Sequence, residues 1–203
     1  MPAMTPKKSS SNGRPAQVRI IGGQWKRTPL AVVNAEGLRP TPDRVRETVF
    51  NWLTFLFDSQ WQNVRCLDLF AGSGALGFEA ASRGAQQVIL VESNAGACAQ
   101  MQANKEKLRA EHITLLRGDA LLQAARLQKT QQQFDLIFVD PPYQSQLYTS
   151  AMLACRSLIA PHGFIYVELP AKQDLPAWME DWEIIRQDSA GMVAYYLLSH
   201  KTR

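Results

Sequence analysis

From residue 63 onward, short apolar runs alternate with longer stretches in which apolar residues recur every three or four positions. These are the two periods of strand and helix. The pattern predicts strands over 64–70, 87–91, 113–117, 134–139, 163–167, 183–186 and 193–198. It predicts helices over 75–83 and 95–108, another from about 121 onward, and one running through 152–158. Strands alternating with helices predict an α/β protein with a doubly wound, Rossmann-like sheet covered on both faces. Ligands in such sheets bind beyond the carboxyl ends of the strands, where the strand order reverses.

The first part of the chain is patterned differently. Residues 1–16 are rich in Ser, Pro, Lys and Gly with almost nothing to bury, as expected of a flexible basic tail. Residues 18–30 form a basic, β-leaning stretch with Gly22-Gly23 as its natural turn. Thr41 is expected to cap a helix that has Pro42 at its first position and Asp43 beside it. Val45, Val49, Trp52, Leu53 and Leu56 then give one apolar face, with Arg44, Arg46, Glu47 and Asn51 falling largely off it. The expected organisation is a tail (1–16), an N-terminal β element and helix (17–60) and an α/β domain (61–203).

Composition narrows the class. With 203 residues, 46% hydrophobic and 20% charged, the chain has the make-up of one globular domain with a modest extension, not of a disordered protein. Runs such as Leu136 to Val139 fall far short of the roughly 18 apolar residues needed to span a membrane. The net charge of +4 is unevenly spread: residues 1–50 carry +6 and residues 51–203 carry -2. No apolar segment of signal-peptide length follows Lys7 and Lys8. Cys66, Cys98 and Cys155 are odd in number and widely spaced, with no CxxC pair and no clustered histidine. They read as reduced core thiols of a cytoplasmic protein, with no metal site.

Chemistry concentrates at strand ends. The strand VRCLDLF runs into AGSGALGFEA, in which Gly72, Gly74 and Gly77 make a GxGxxG sequence opening a helix. Glu92 follows twenty residues after Gly72, where an acid can hold two ribose hydroxyls. A dinucleotide and S-adenosylmethionine both present such a ribose. Asp68 separates them. A carboxylate four residues before Gly72 would repel a pyrophosphate but suits an ammonium and a sulfonium. Asp119, in Gly118-Asp119-Ala120 at the end of the third strand, can accept from an adenine amine or cap the next helix.

The sharpest signal is Asp140-Pro141-Pro142-Tyr143, which ends the strand FDLIFV. Two prolines remove two N–H donors, so carbonyls face the site without competition and Asp140 adds a carboxylate acceptor. Such a cluster suits a planar exocyclic amine on a nucleobase, whose lone pair is delocalised into the ring. Accepting both N–H groups orients the lone pair and stabilises the charge that develops on nitrogen. Tyr143 would stack on the base.

These residues resemble a known group. LDLFAGSGALG, VES, GDA and DPPY, in that order, look like a class I S-adenosylmethionine-dependent N-methyltransferase. RIIGGQWKRTPL, LRPTPDRVRETVFNWL and FVDPPY resemble, more narrowly, the bacterial small-subunit (16S) ribosomal RNA guanine-N2 methyltransferase family, from about Val18 to the C-terminus. The resemblance implies a seven-stranded sheet with the last strand antiparallel and a small N-terminal β element beside it. It implies that Asp68, Phe70 and the loop Ala71, Gly72, Ser73 and Gly74 line the methionine end. Glu92 and Ser93 would then meet the ribose, Asp119 and Ala120 the adenine, and Asp140, Pro141, Pro142 and Tyr143 the target base.

The same chemistry would serve a DNA adenine or cytosine amino-methyltransferase, but such enzymes usually carry an added domain to read a duplex, and about 60 residues precede the expected catalytic fold. A compact basic arm suits RNA, which is recognised through shape, phosphates and splayed-out bases. Arg19, Lys26, Arg27, Arg39, Arg44 and Arg46 are the candidates for phosphate contacts. A non-catalytic RNA-binding assembly factor would have no need of the glycines, Glu92 and DPPY together. The expectation is a monomer acting on ribosomal RNA, free or within an assembling small-subunit particle.

Overall fold

The structure is a computed structural model and describes residues 17–33, 41–142 and 145–201. The expected tail, Arg39 and Tyr143 lie outside the described residues. In chain order the elements are β1 (Gln17–Arg19), β2 (Pro29–Ala31), α1 (Asp43–Leu56), β3 (Arg65–Asp68), α2 (Ala75–Ser82), β4 (Gln87–Glu92) and α3 (Ala95–Leu108). There follow β5 (Ile113–Arg117), α4 (Ala120–Lys129), β6 (Phe134–Val139), α5 (Ser145–Leu158), β7 (Ile159–Pro170), β8 (Trp182–Ala190) and β9 (Val193–His200).

Seven strands form one sheet in the order β5-β4-β3-β6-β7-β9-β8. β9 runs antiparallel to both its neighbours and the other pairs are parallel, as the resemblance implied. The chain winds outward from β3 to β5, then returns to place β6 on the other side of β3. The order therefore reverses between β3 and β6, and a crevice opens beyond their carboxyl ends. Central strands buried on both faces explain the near-continuous apolar runs of the sequence. One core lies under α1 and α2 and includes Phe50, Phe78, Phe138 and Tyr166; the other lies under α4 and α5. Cys66 and Cys155 are buried and Cys98 is half-buried, all as free thiols.

The N-terminal hairpin β1–β2 is antiparallel and docks on α2. Glu79, fully buried on α2, accepts the N–H groups of Ile21 (2.7 Å) and Gly22 (2.8 Å) and the Nε–H of Arg83 (2.9 Å). Gly23 passes so close to α2 that a Cβ there would lie 1.9 Å from the Ser82 carbonyl oxygen, and its φ is +75°. Only glycine fits both demands.

Two expectations for α1 are corrected. Thr41 does not cap the helix: Pro42 occupies the cap position with no side-chain bond, and the Thr41 hydroxyl donates to Glu168 Oε1 at 2.9 Å. Arg46 does not face solvent. It is fully buried, donating to the Arg19 carbonyl (2.9 Å), the Thr41 carbonyl (3.3 Å) and Asp43 Oδ1 (2.6 Å), with Nη1 4.0 Å from Glu79. Helical spacing puts it one turn before Phe50 and two before Leu53, on a face those apolar side chains share. A phosphate cannot reach it.

Candidate active site

A cavity of about 540 Å³ occupies the crevice beyond β3 and β6. That volume is within the usual range for a small-molecule site. The four segments that carry the sequence motifs meet there. The Asp68–Ser73 loop forms one wall, Glu92 and Ser93 the next, and Gly118–Leu121 the third. Asp140–Pro142, from the end of β6, closes the fourth side. All the cofactor residues expected from sequence line the cavity except Gly74, which closes the turn behind it at φ +78° and leads α2.

The local geometry follows from a few contacts. Asp68 ends β3 and its Oδ2 accepts the N–H of Gly77 at 3.1 Å. A Cβ on Gly77 would lie 2.1 Å from Leu90 and 3.3 Å from this oxygen, so the third glycine lets α2 press onto the sheet and onto Asp68. Glu92 binds the glycine turn itself, accepting Gly72 N–H at 2.8 Å on one oxygen and Asn94 N–H at 2.7 Å on the other. The first oxygen keeps a further lone pair for a ligand hydroxyl, while the second also accepts the Ser93 hydroxyl at 3.4 Å. Asp119 caps α4 through Leu122 N–H at 2.9 Å and also lines the cavity, so the two roles open from sequence are compatible.

The electrostatics are one-sided. Burial pushes the Asp68 carboxyl up to about 7, with Glu92 adding to the rise and the Gly77 and Phe70 N–H groups opposing it. Burial likewise raises Asp140 to about 8, reinforced by Glu168 and Asp68. No lysine or arginine among the described residues lines the cavity. A pyrophosphate would find a glycine turn but only acids around it, whereas a ligand with a sulfonium, an ammonium and ribose hydroxyls matches these acceptors. The residues present therefore fit S-adenosylmethionine.

Residues 18–199 match the family profile described as Conserved hypothetical protein 95. The ribosomal RNA small subunit methyltransferase D of Escherichia coli (strain K12) is 38% identical over 200 residues, which are 97% of this chain and 96% of the relative. The chain belongs to this methyltransferase family. The protein of the same description from Haemophilus influenzae is 38% identical over 197 residues, covering 94% of this chain and 98% of the relative. The solved structure of the Escherichia coli protein yhhF superposes with a TM-score of 0.77 at 36% identity, over 93% of this chain and all of that one. The fold is that of class I methyltransferases, and S-adenosylmethionine is the cofactor.

Among the lining residues of this methyltransferase that escaped the sequence reading are Thr41, Glu168 and Met192. Met192, 69% exposed in the turn between β8 and β9, stands at the cavity mouth, and nothing in its sequence context marks it. Glu168 did carry a signal, since an acid directly follows the apolar strand run there as Asp140 does after β6. Of the basic candidates, Arg19, Lys26, Arg27 and Arg44 are exposed. Arg19 makes an ion pair with Asp43 at 3.4 Å.

Proposed function

We propose that the protein transfers a methyl group to the exocyclic N2 amine of a guanine in small-subunit (16S) ribosomal RNA. The observation that carries this reading is Asp140-Pro141-Pro142 at the carboxyl end of β6, facing the same cavity as the Asp68 and Glu92 acceptors. Relatives 38% identical along almost the whole chain are named as small-subunit ribosomal RNA methyltransferases, which supports the substrate class. The exposed Arg19, Lys26, Arg27 and Arg44 support an RNA-facing arm whose affinity falls steeply with added salt.

S-adenosylmethionine, held by Asp68 and the glycine turn, Glu92 and Asp119, supplies an electrophilic methyl group on sulfur. Asp140 and the Pro141 carbonyl accept the two N–H groups of the target amine and turn its lone pair toward that methyl. Tyr143 stacks on the extruded base. Nitrogen gains a bond to carbon as the sulfur–carbon bond breaks, and the alkylated amine becomes acidic. Its proton is then lost to solvent, and no strong general base is required.

The test is mass-spectrometric mapping of modified nucleosides in small-subunit ribosomal RNA from cells lacking the gene, with and without the protein restored. The expected result is loss and recovery of one N2-methylguanosine. An unchanged pattern, or loss of a different modified base, would overturn the reading.

A further inference from the structure

Glu168 lies outside every motif, yet its surroundings are those of a residue kept for a ligand. Val139 pairs with Val167 across β6 and β7, so Asp140 and Glu168 follow one another's register on adjacent parallel strands. Their side chains emerge on the sheet face that also bears Phe138 and Tyr166. Glu168 is only 9% exposed. Its Oε1 accepts two hydroxyls, from Tyr166 at 2.8 Å and from Thr41 at 2.9 Å. Its main-chain carbonyl is held by the Tyr148 hydroxyl at 2.7 Å. Its Oε2 accepts no hydrogen bond among the described residues, and the side chain lines the cavity beside Asp140. No described cation pairs with it. A nine-tenths buried carboxylate with one oxygen fixed and the other unmatched is costly unless a donor arrives.

The bases differ at the atom next to the amine. Guanine carries N1–H beside its N2 amine, so two donor groups stand side by side. Adenine carries the N1 lone pair beside its N6 amine, and cytosine the N3 lone pair beside its N4 amine. A second carboxylate next to Asp140 attracts the first arrangement and repels the other two. We propose that Glu168 reads the target base as guanine, its free Oε2 accepting N1–H while Asp140 and the Pro141 carbonyl hold the amine. This rests on the guanine-N2 reading above and adds the element that would enforce it. Thr41 and Tyr166 act through Glu168, holding the carboxylate so that one oxygen points to the base.

The test uses the full-length protein and small-subunit ribosomal RNA, naked or in a reconstituted particle, whichever the wild type methylates. The target position carries either guanosine or 2-aminopurine riboside, which keeps the 2-amine and replaces N1–H by a lone pair. Wild type should lose at least about 100-fold in kcat/KM on 2-aminopurine, because a polar group built to accept N1–H is left facing a lone pair. In Glu168→Ala that gap should shrink to less than about tenfold, with S-adenosylhomocysteine affinity kept within about twofold. Glu168→Gln should go further. With its carbonyl oxygen on Thr41 and Tyr166, its amide N–H₂ faces the base, and the preference should turn toward 2-aminopurine.

Equal rates of wild type on both RNAs would overturn the proposal without any variant, whatever the folding of Glu168→Ala. So would a Glu168→Gln protein that keeps the wild-type ratio. If the wild-type product maps to another base or atom, or neither RNA form is methylated, the functional reading itself fails. If N2-methylguanosine forms but the ratios do not respond to Glu168, only this inference fails.

Discussion

Acids that are buried or half-buried lie on the same side of the sheet and are treated in opposite ways. Glu79, fully buried on α2, is surrounded by donors: two backbone N–H groups of the hairpin, Arg83 Nε–H, and Arg46 at 4.0 Å. Asp68, Asp140 and Glu168 face the cavity with only neutral donors or none, and with no lysine or arginine among its described lining. In the first arrangement both Glu79 oxygens are matched by donors within the protein, and the cluster ties the hairpin, α1 and α2 together. The second is incomplete and waits for positive charge and N–H groups from outside. Compensated acids hold the fold; uncompensated ones hold ligands.

The sharpest way to break this comparison is to exchange the expected consequences. Glu79→Ala should be the most damaging change to stability, about 3–5 kcal/mol, because it strands the Arg83 and Arg46 charges and leaves the Ile21 and Gly22 N–H groups without acceptors. Urea unfolding with a constant slope measures it. A loss below about 1 kcal/mol would mean that the cluster is only a surface-strength pairing. Asp140→Asn should do the reverse. Turnover should fall about 100- to 1000-fold, since the acceptor that stabilises charge on the amine is replaced by a half-donor. The urea midpoint should hold or rise, because an uncompensated half-buried carboxyl has been removed. Near-normal turnover would remove Asp140 from the chemistry.

The same contrast predicts a pH dependence. Asp68 and Asp140 are raised to about 7 and about 8 in the folded protein, against 3.8 for the ordinary group, so between those values the folded state binds more protons than the unfolded chain. Stability of the ligand-free protein is then greatest at or below about pH 4 as far as these two groups contribute, and that contribution is lost as pH rises through 7 and 8. Asp140→Asn should flatten the decline. Cofactor binding runs the other way, because a sulfonium favours the ionised acids. Affinity for S-adenosylmethionine should rise roughly tenfold between pH 6 and 8, and affinity for uncharged-sulfur S-adenosylhomocysteine by less. Calorimetric titrations at several pH values separate the two, and parallel curves would remove the acids from contact with the sulfonium.

Much of this architecture was legible because local and global preferences agree. α3, β5 and β6 fall where periodicity put them. The Asp140 and Glu92 positions were legible because strand ends of a doubly wound sheet converge on one crevice. What was missed depends on contacts between distant segments. Arg46 has the residue type of a surface position, and its spacing with Phe50 and Leu53 was the contrary signal. Its burial becomes tolerable through Asp43 and the Thr41 carbonyl nearby, together with Glu79 and the Arg19 carbonyl brought by other parts of the chain. Thr41 has the type and place of a helix cap, a local preference that a distant acceptor overrode.

That distant acceptor leads to the smallest expected effect. Thr41→Val keeps the shape of the side chain and removes one donor from Glu168 Oε1, leaving the Tyr166 hydroxyl at 2.8 Å to hold it. Since the cap position is filled by Pro42, α1 loses no capping bond, and the helix should keep its stability within about 1 kcal/mol. If Thr41 instead served the helix, the urea midpoint would fall while kcat/KM held. If it serves Glu168, the change should appear as a few-fold loss in kcat/KM, in the range of one neutral hydrogen bond, with cofactor affinity unchanged. Thr41→Ser, which restores the hydroxyl, should recover the rate. A threonine placed as if to start a helix would then be acting across the cavity, on the carboxylate that meets the base.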